Sequence, residues 1–328
     1  MIRVAVAMGG FSPEREISLM SGKAVAESLD RSRFEVYALD VSREAWHVID
    51  DGEAFEFDRS RGVWTDSSGK ENAIDVVFNA IHGSPGEDGP LQGYLDLMGI
   101  PYTGSGQFEM GLTFSKSQCN SVLRDYGLPV SPSILVYRNR IPSAASVGDT
   151  LGWPVFVKPN RSGSSFGVSK VKGPEAWEAA LNYAFEHGDQ VVVERYVPGM
   201  ELGCGITDHR GTPELLGITE IVPDHEFFDY ASKYEGASQE ITPAPIEAAL
   251  AERLKSIALE AYTRLNLKGI ARVDFIVHPE EGPFIIEINA VPGLGPESIV
   301  PKQIRASGLD AGALFGALIE RSLHNRTA

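Results

Sequence analysis

Two short apolar stretches near the end of the chain carry polar residues at alternate positions. Ala271-Arg272-Val273-Asp274-Phe275-Ile276-Val277 sets Arg272 and Asp274 two apart, and Phe284-Ile285-Ile286-Glu287-Ile288-Asn289 does the same for Glu287 and Asn289. Residues two apart in a strand leave from one face. The link from His278 to Gly282 is short enough to make the stretches neighbours, so all four polar groups are expected together. Two carboxylates on an apolar face must be met by cations. Asp, Glu and Asn oxygens are hard ligands suited to Mg²⁺, which keeps waters and bridges to substrate phosphates. A salt-bridged strand pair closed by Arg272 uses the same residues.

Val157-Lys158-Pro159 is followed by the glycine-rich turn Arg161-Ser162-Gly163-Ser164-Ser165-Phe166-Gly167. A lysine at a strand end can hold a phosphate as a point charge, and small turn residues let backbone N–H groups approach phosphate oxygens. A plain structural hairpin has the same composition. Gly-x4-Gly-Lys-Ser/Thr is absent, and Gly9-Gly10 does not complete Gly-x-Gly-x-x-Gly, so neither a P-loop nor a dinucleotide fingerprint is present. The run from Gln190 to Glu201 leads through Tyr196-Val197-Pro198-Gly199 into a hinge-like turn. Its apolar side chains could hold an adenine, with backbone groups and Glu194 reading the edge and Glu201 accepting from ribose hydroxyls. A connecting strand with solvated charges is the plainer reading.

The elements that must position these residues follow from periodicity and turn chemistry. A strand over Arg3 to Met8, a helix start at Ser12-Pro13, an amphipathic run from Ile17 to Leu29, and strands at Glu35 to Val41 and Asp75 to Ile81 predict a parallel α/β unit over 1–113. A helix over Lys116 to Tyr126, strands at Pro154 to Lys158 and Val168 to Val171, a helix over Pro174 to Phe185 and a strand at Gln190 to Glu194 predict a second unit over 114–198. The third unit, 199–328, holds strands at Glu201 to Thr207 and Glu214 to Ile221 and a helix over Ile246 to Leu265. The two polar-bearing strands and terminal helices complete it. The loop from Asp224 to Pro245 is long for a compact domain and is expected to act as a moving lid. The fold class is α/β, α+β in part.

A chain of 328 residues suits two or three such units. Its 43% hydrophobic and 23% charged residues are ordinary for a globular protein, and no run approaches the roughly 18 apolar residues of a membrane span. The N-terminus enters a strand directly, from which a cytoplasmic location is expected. Cys119 and Cys204 lack metal-ligand spacing and read as reduced structural thiols. With 29 basic against 45 acidic residues the net charge is −16, which disfavours nucleic acid but leaves room for a small anionic substrate held by local cations.

The ordered set of Lys116, Lys158 with its glycine-rich turn, Glu194 to Glu201, Arg272 with Asp274, and Glu287 with Asn289 resembles the ATP-grasp enzymes. Within them, Gly9-Gly10-Phe11-Ser12-Pro13-Glu14-Arg15-Glu16-Ile17-Ser18, His82-Gly83 with Gly86-Glu87-Asp88-Gly89, Pro101-Tyr102-Thr103-Gly104-Ser105, and Asp229-Tyr230 with Lys233-Tyr234 look like the D-alanyl-D-alanine ligase family over nearly the whole chain. The resemblance implies a three-domain ATP-grasp architecture, ATP and Mg²⁺ (two ions, with Mn²⁺ as a substitute), D-alanine as substrate and a homodimer. It assigns ATP phosphates to Lys116, Lys158 and Lys233, the nucleotide to Glu194, Arg195, Val197 and Glu201, and the metal to Asp274, Glu287 and Asn289. It gives the oxyanion-hole role to Arg272 and the Gly293 N–H, and the ammonium of the first amino acid to Glu14. Glu14, Ser164 and Tyr234 are to form a closing link, His82 to sit beside the first substrate, and Ser298 to meet the carboxylate of the second.

The chain departs from the family pattern in Asn289-Ala290-Val291-Pro292-Gly293-Leu294-Gly295-Pro296-Glu297-Ser298, where Ala290 and Gly295 replace hydroxyl-bearing residues. Ser115 stands where an acidic residue is usual, and Arg195 where lysine is frequent. Tyr234 is replaced in relatives that make D-alanyl-D-lactate, so its presence favours an amine as second substrate.

Overall fold

The computed structural model describes residues 1–163, 166–223 and 238–324. Its first sheet contains β1 (Ile2–Gly9), β2 (Phe34–Val41), β3 (Trp46–Asp50), β4 (Glu53–Asp58), β5 (Val63–Thr65), β6 (Glu71–Ala73) and β7 (Val76–Asn79). The strand order is β6-β5-β4-β3-β2-β1-β7. The three strands expected from sequence, β2, β1 and β7, are parallel neighbours. Their near-continuous apolar runs are explained by cover on both faces. Val4, Val6 and Met8 face a core shared with Val25 of helix α1 (Arg15–Ser28), whereas Ala5 and Ala7 face Leu91 and Leu95 of α2 (Pro90–Met98). A third helix, α3 (Gln107–Phe114), leads out of this unit.

Strands β3 to β6 form an antiparallel meander that the sequence reading missed. The last two are three residues each, too short for periodicity to register. Asp51-Gly52 at the β3–β4 turn, with φ of 45° and 85°, was the available hairpin signal. The helix start is also corrected. Ser12 does not cap α1; its hydroxyl donates to the His82 carbonyl and accepts from the Glu14 N–H, and α1 begins at Arg15.

The second sheet, of order β10-β9-β11-β8, is built from β8 (Ser133–Tyr137), β9 (Val155–Pro159), β10 (Ser169–Val171) and β11 (Gln190–Arg195). Helices α4 (Lys116–Asp125), α5 (Ala144–Leu151) and α6 (Trp177–Glu186) accompany it. The third sheet, of order β14-β13-β12-β15-β16, contains β12 (Met200–Thr207), β13 (Glu214–Pro223), β14 (Ser238–Ile241), β15 (Ile270–His278) and β16 (Gly282–Asn289). Its core is closed by α7 (Ala248–Arg264). Strand β14 falls inside the span expected to be loop, because its pairing with β13 depends on partners distant in sequence. After α8 (Ile299–Ala306), α9 (Ala311–His324) returns to the first sheet, where Phe315 meets Phe78 at 5.4 Å between ring centroids.

Close approach of α1 to β1 depends on Gly22, where a Cβ would lie 2.6 Å from Met8 Cβ. Glycine inside a helix costs about 0.5–1 kcal/mol relative to alanine. Overpacking a rigid contact costs about 1–3 kcal/mol, so the clash wins. Gly22→Ala is therefore expected to lower the unfolding free energy by about 1 kcal/mol or more in chemical denaturation; a rise would contradict this packing.

Candidate active site

The register of β15 against β16 places Arg272 opposite Asn289 and Asp274 opposite Glu287. All four polar residues thus share one face, as the alternation predicts. Asp274 is buried, and its carboxylate accepts from Arg272 Nε at 2.6 Å, Arg272 Nη2 at 2.8 Å and Asn289 Nδ2 at 2.9 Å. A forked guanidinium is the partner that can satisfy both oxygens of a buried carboxylate. A bulge between Asp274 and Phe275 follows this pair.

Two lysines from the second sheet's neighbourhood converge on the same region. Lys116, the first residue of α4, donates to the Ser162 carbonyl at 2.8 Å and lies 3.5 Å from a Glu287 oxygen. Asn160, fully buried, joins the start of the glycine-rich turn to α4: its Oδ1 accepts from Ser117 N at 2.8 Å and its Nδ2 donates to Ser115 Oγ at 2.9 Å. Lys158 pairs with Glu194 at 2.7 Å across β9 and β11. Burial opposes the Lys158 charge, but Glu194, aided by Glu287 and Glu201, outweighs it and holds the ammonium above its usual pKa.

A cavity of about 470 Å³ gathers Glu14, His82, Lys116, Arg272, Glu287, Asn289, Gly293 and Ser298. Glu14 enters from the turn before α1, and a Cβ on Gly163 would come within 2.5 Å of its carboxylate, so the glycine-rich turn closes directly on it. Glu87 lines the same cavity and accepts from the Gly83 N–H at 2.9 Å. Burial, reinforced by Glu14, pushes its carboxyl well above the usual range. His82 is buried with Nδ1 2.9 Å from the Val291 carbonyl and Nε2 2.9 Å from Ser21 Oγ. Burial pulls its imidazole down to about 4, against the raising influence of the Val291 carbonyl.

The remaining predicted residues flank this cavity or fall elsewhere. The Glu194 carboxylate faces Lys158 and Asn120. Arg195 directs its guanidinium to Glu281 at 2.9 Å and over the Phe284 ring, tying the second sheet to the third. Val197 is buried, and Glu201 stands in β12 beside Ile276 of β15. Ser164, Lys233, Tyr234 and most of the expected lid lie outside the described residues. Among the described residues no group of three or more His, Cys, Asp or Glu could hold a metal. The candidate set is therefore two carboxylates and the Asn289 amide, hard oxygen donors that suit a cation completed by waters and phosphates.

Models of the D-ala D-ala ligase N-terminus and C-terminus match residues 3–105 and 122–320. The D-alanine–D-alanine ligase of Flavobacterium johnsoniae is 40% identical over 324 residues, covering 98% of this chain and 100% of that protein. The chain belongs to the D-alanine–D-alanine ligase family. Its fold is shared by solved structures. The VanG D-Ala:D-Ser ligase from Enterococcus faecalis has a TM-score of 0.87 at 30% identity, covering 98% of this chain and 99% of that one. The D-alanine–D-alanine ligase from Bacillus anthracis complexed with ATP has a TM-score of 0.81 at 29% identity, covering 100% and 99%. As in other members of the D-alanine–D-alanine ligase family, ATP-grasp architecture joins the sheets described above.

Sequence reasoning missed Ser21, Asn160 and any role for Glu87. Asn160, directly after Val157-Lys158-Pro159, could have been marked as the residue fixing the turn; Ser21 carried no local signal, because its partners are 61 and 273 residues away. His82 is protonated near pH 6.5 in the unfolded chain but only near pH 4 when folded, so in between the unfolded chain binds more protons and stability falls as pH drops. The loss is about 2–3 kcal/mol between pH 7.5 and pH 4.5. His82→Asn, which does not titrate, should show a correspondingly shallower pH dependence in denaturation; identical profiles would contradict the buried neutral imidazole.

Proposed function

We propose that this chain is an ATP-dependent D-alanine:D-alanine ligase that forms D-alanyl-D-alanine for peptidoglycan precursors, releasing ADP and phosphate. The observation that carries this reading is the convergence of Glu14, Lys116, Arg272, Glu287, Asn289, Gly293 and Ser298 on one cavity. Family membership over nearly the whole chain supports it. Glu14 binds the ammonium of the first D-alanine, whose carboxylate oxygen attacks the γ-phosphorus of ATP as ADP leaves. Lys116 and Lys158 hold phosphate charge, exchanging Glu287 and Glu194 for phosphate oxygens. The second D-alanine, its carboxylate on Ser298, loses a proton from its ammonium to solvent, the free amine attacks the acyl carbon, and the second proton of that nitrogen goes to the departing phosphate. Arg272 and the Gly293 N–H stabilise the negative oxygen on that tetrahedral carbon, and phosphate leaves. Asp274, Glu287 and Asn289 are the residues that would hold Mg²⁺, two ions in our reading, with Mn²⁺ as substitute; the cation supplies neutralisation of phosphate charge.

Lys233, between β13 and β14 in sequence, would meet the phosphates, and Ser164 with Tyr234 would link to Glu14 to exclude water. Glu194, Arg195, Val197 and Glu201 bound the nucleotide: Glu194, released by Lys158, and backbone groups meet the adenine edge and Glu201 the ribose, while the Arg195 side chain stays engaged by Glu281. Domains of 1–113, 114–198 and 199–328, a homodimer and a cytoplasmic location complete the proposal. The altered wall at Ala290, Gly295, Pro296 and Glu297 favours one second reading, in which the second substrate is D-serine or another small amine rather than D-alanine.

Incubation with ATP, Mg²⁺ and D-alanine, alone or paired with D-serine or D-lactate, should yield D-alanyl-D-alanine as the main product by mass. Arg272→Ala should lower turnover by at least about 100-fold while keeping ATP binding. Preference for D-lactate at neutral pH, or unchanged turnover in the variant, would refute the assignments of Tyr234 and Arg272 respectively.

A further inference from the structure

We infer that Ser21 and His82 form a latch that positions the oxyanion-binding loop, with His82 acting as a positioning residue and not as a proton carrier. This rests on the ligase reading above, in which the Gly293 N–H meets the tetrahedral oxygen.

The Val291 carbonyl can only accept, so His82 Nδ1 carries the hydrogen and donates to it at 2.9 Å. Nε2 of the neutral ring is then an acceptor, and the Ser21 hydroxyl donates to it at 2.9 Å. Ser21 Oγ in turn accepts from the Leu294 N–H at 3.1 Å. Helix α1 and the loop after β7 thereby grip the two residues that bracket Pro292-Gly293. Both ring nitrogens are used, which leaves His82 neither a proton nor a lone pair for the substrate amine. All the atoms of this circuit are buried, so water cannot replace a lost partner.

Pro292 has no N–H, and the Gly293 N–H, between the two ties, donates to no described residue. Gly293 lines the cavity. A Cβ there would lie 2.8 Å from Ser298 Oγ, so the loop also sets the distance from the oxyanion position to the residue assigned to the second substrate. Because an oxyanion donor acts only when it sits where the charge develops, loosening either tie should reduce the rate of the acyl step and leave nucleotide binding intact.

The test compares wild type with Ser21→Ala, His82→Ala and His82→Asn in steady-state dipeptide formation, with ATP binding measured by titration and folding by thermal unfolding. Asparagine keeps an N–H near the position of Nδ1 and so can still hold the Val291 carbonyl. Ser21→Ala and His82→Ala should lose about 10- to 100-fold in kcat, with ATP affinity within about twofold of wild type. His82→Asn should recover at least about tenfold over His82→Ala. Affinity for a phosphinate dipeptide analogue, whose tetrahedral phosphorus stands for the reacting carbon, should fall in parallel with kcat. A parallel fall in ATP affinity, or an asparagine variant no better than alanine, overturns the latch. An inactive wild type fails the ligase reading and the latch with it; an active wild type matched by both alanine variants fails the latch alone.

Discussion

Carboxylates inside an apolar sheet must be met by positive charge, and that constraint organises the whole site. Asp274 is held by the fork of Arg272 and the Asn289 amide, Glu287 lies beside Lys116, and Glu194 is paired with Lys158. These pairs come from different elements. Arg272 and Asp274 share β15, Asn289 and Glu287 belong to β16, Lys116 opens α4, and Lys158 and Glu194 pair diagonally across β9 and β11. Removing one member would strand a buried charge, at a cost larger than the net worth of the pair. Of these pairs, Lys116 with Glu287 is the one that joins α4 to the third sheet at the cavity.

This pairing also suits phosphate chemistry. A lysine already aimed at a carboxylate is desolvated and oriented, so an anionic phosphate replaces a partner of like charge without reorganising the side chain. Arg195 and Glu281 add a tie between the second and third sheets beyond the cavity, with Phe284 beneath the guanidinium. The glycine-rich turn is held at one end by Asn160 and approaches Glu14 at Gly163, which connects the first sheet to the other two. All three sheets therefore meet around one small set of charges.

Much of this is legible in the sequence. Alternation in β15 and β16 predicted the shared face of Arg272, Asp274, Glu287 and Asn289, because a period of two and a short connection leave little freedom. Strands β1, β2 and β7 were readable from their apolar runs. The meander of β3 to β6 was not, since its strands are short and rich in turn residues, and β14 was hidden in a polar stretch whose pairing is set by β13. The Ser12 hydroxyl looked like a helix cap but bonds to the His82 loop, a contact 70 residues distant. Ser21 likewise acts through partners that no local pattern shows. Local periodicity reports which face a residue occupies; the partner on that face is decided by tertiary packing.

In the proposed reaction the cavity converts a carboxylate into an acyl phosphate before an amine displaces it. D-Alanine labelled with ¹⁸O in its carboxylate tests this most directly, by mass analysis of the inorganic phosphate released during turnover with ATP. One labelled oxygen is expected in each phosphate, because the carboxylate oxygen that attacks the γ-phosphorus leaves with it. Unlabelled phosphate, or label carried into AMP, would contradict it.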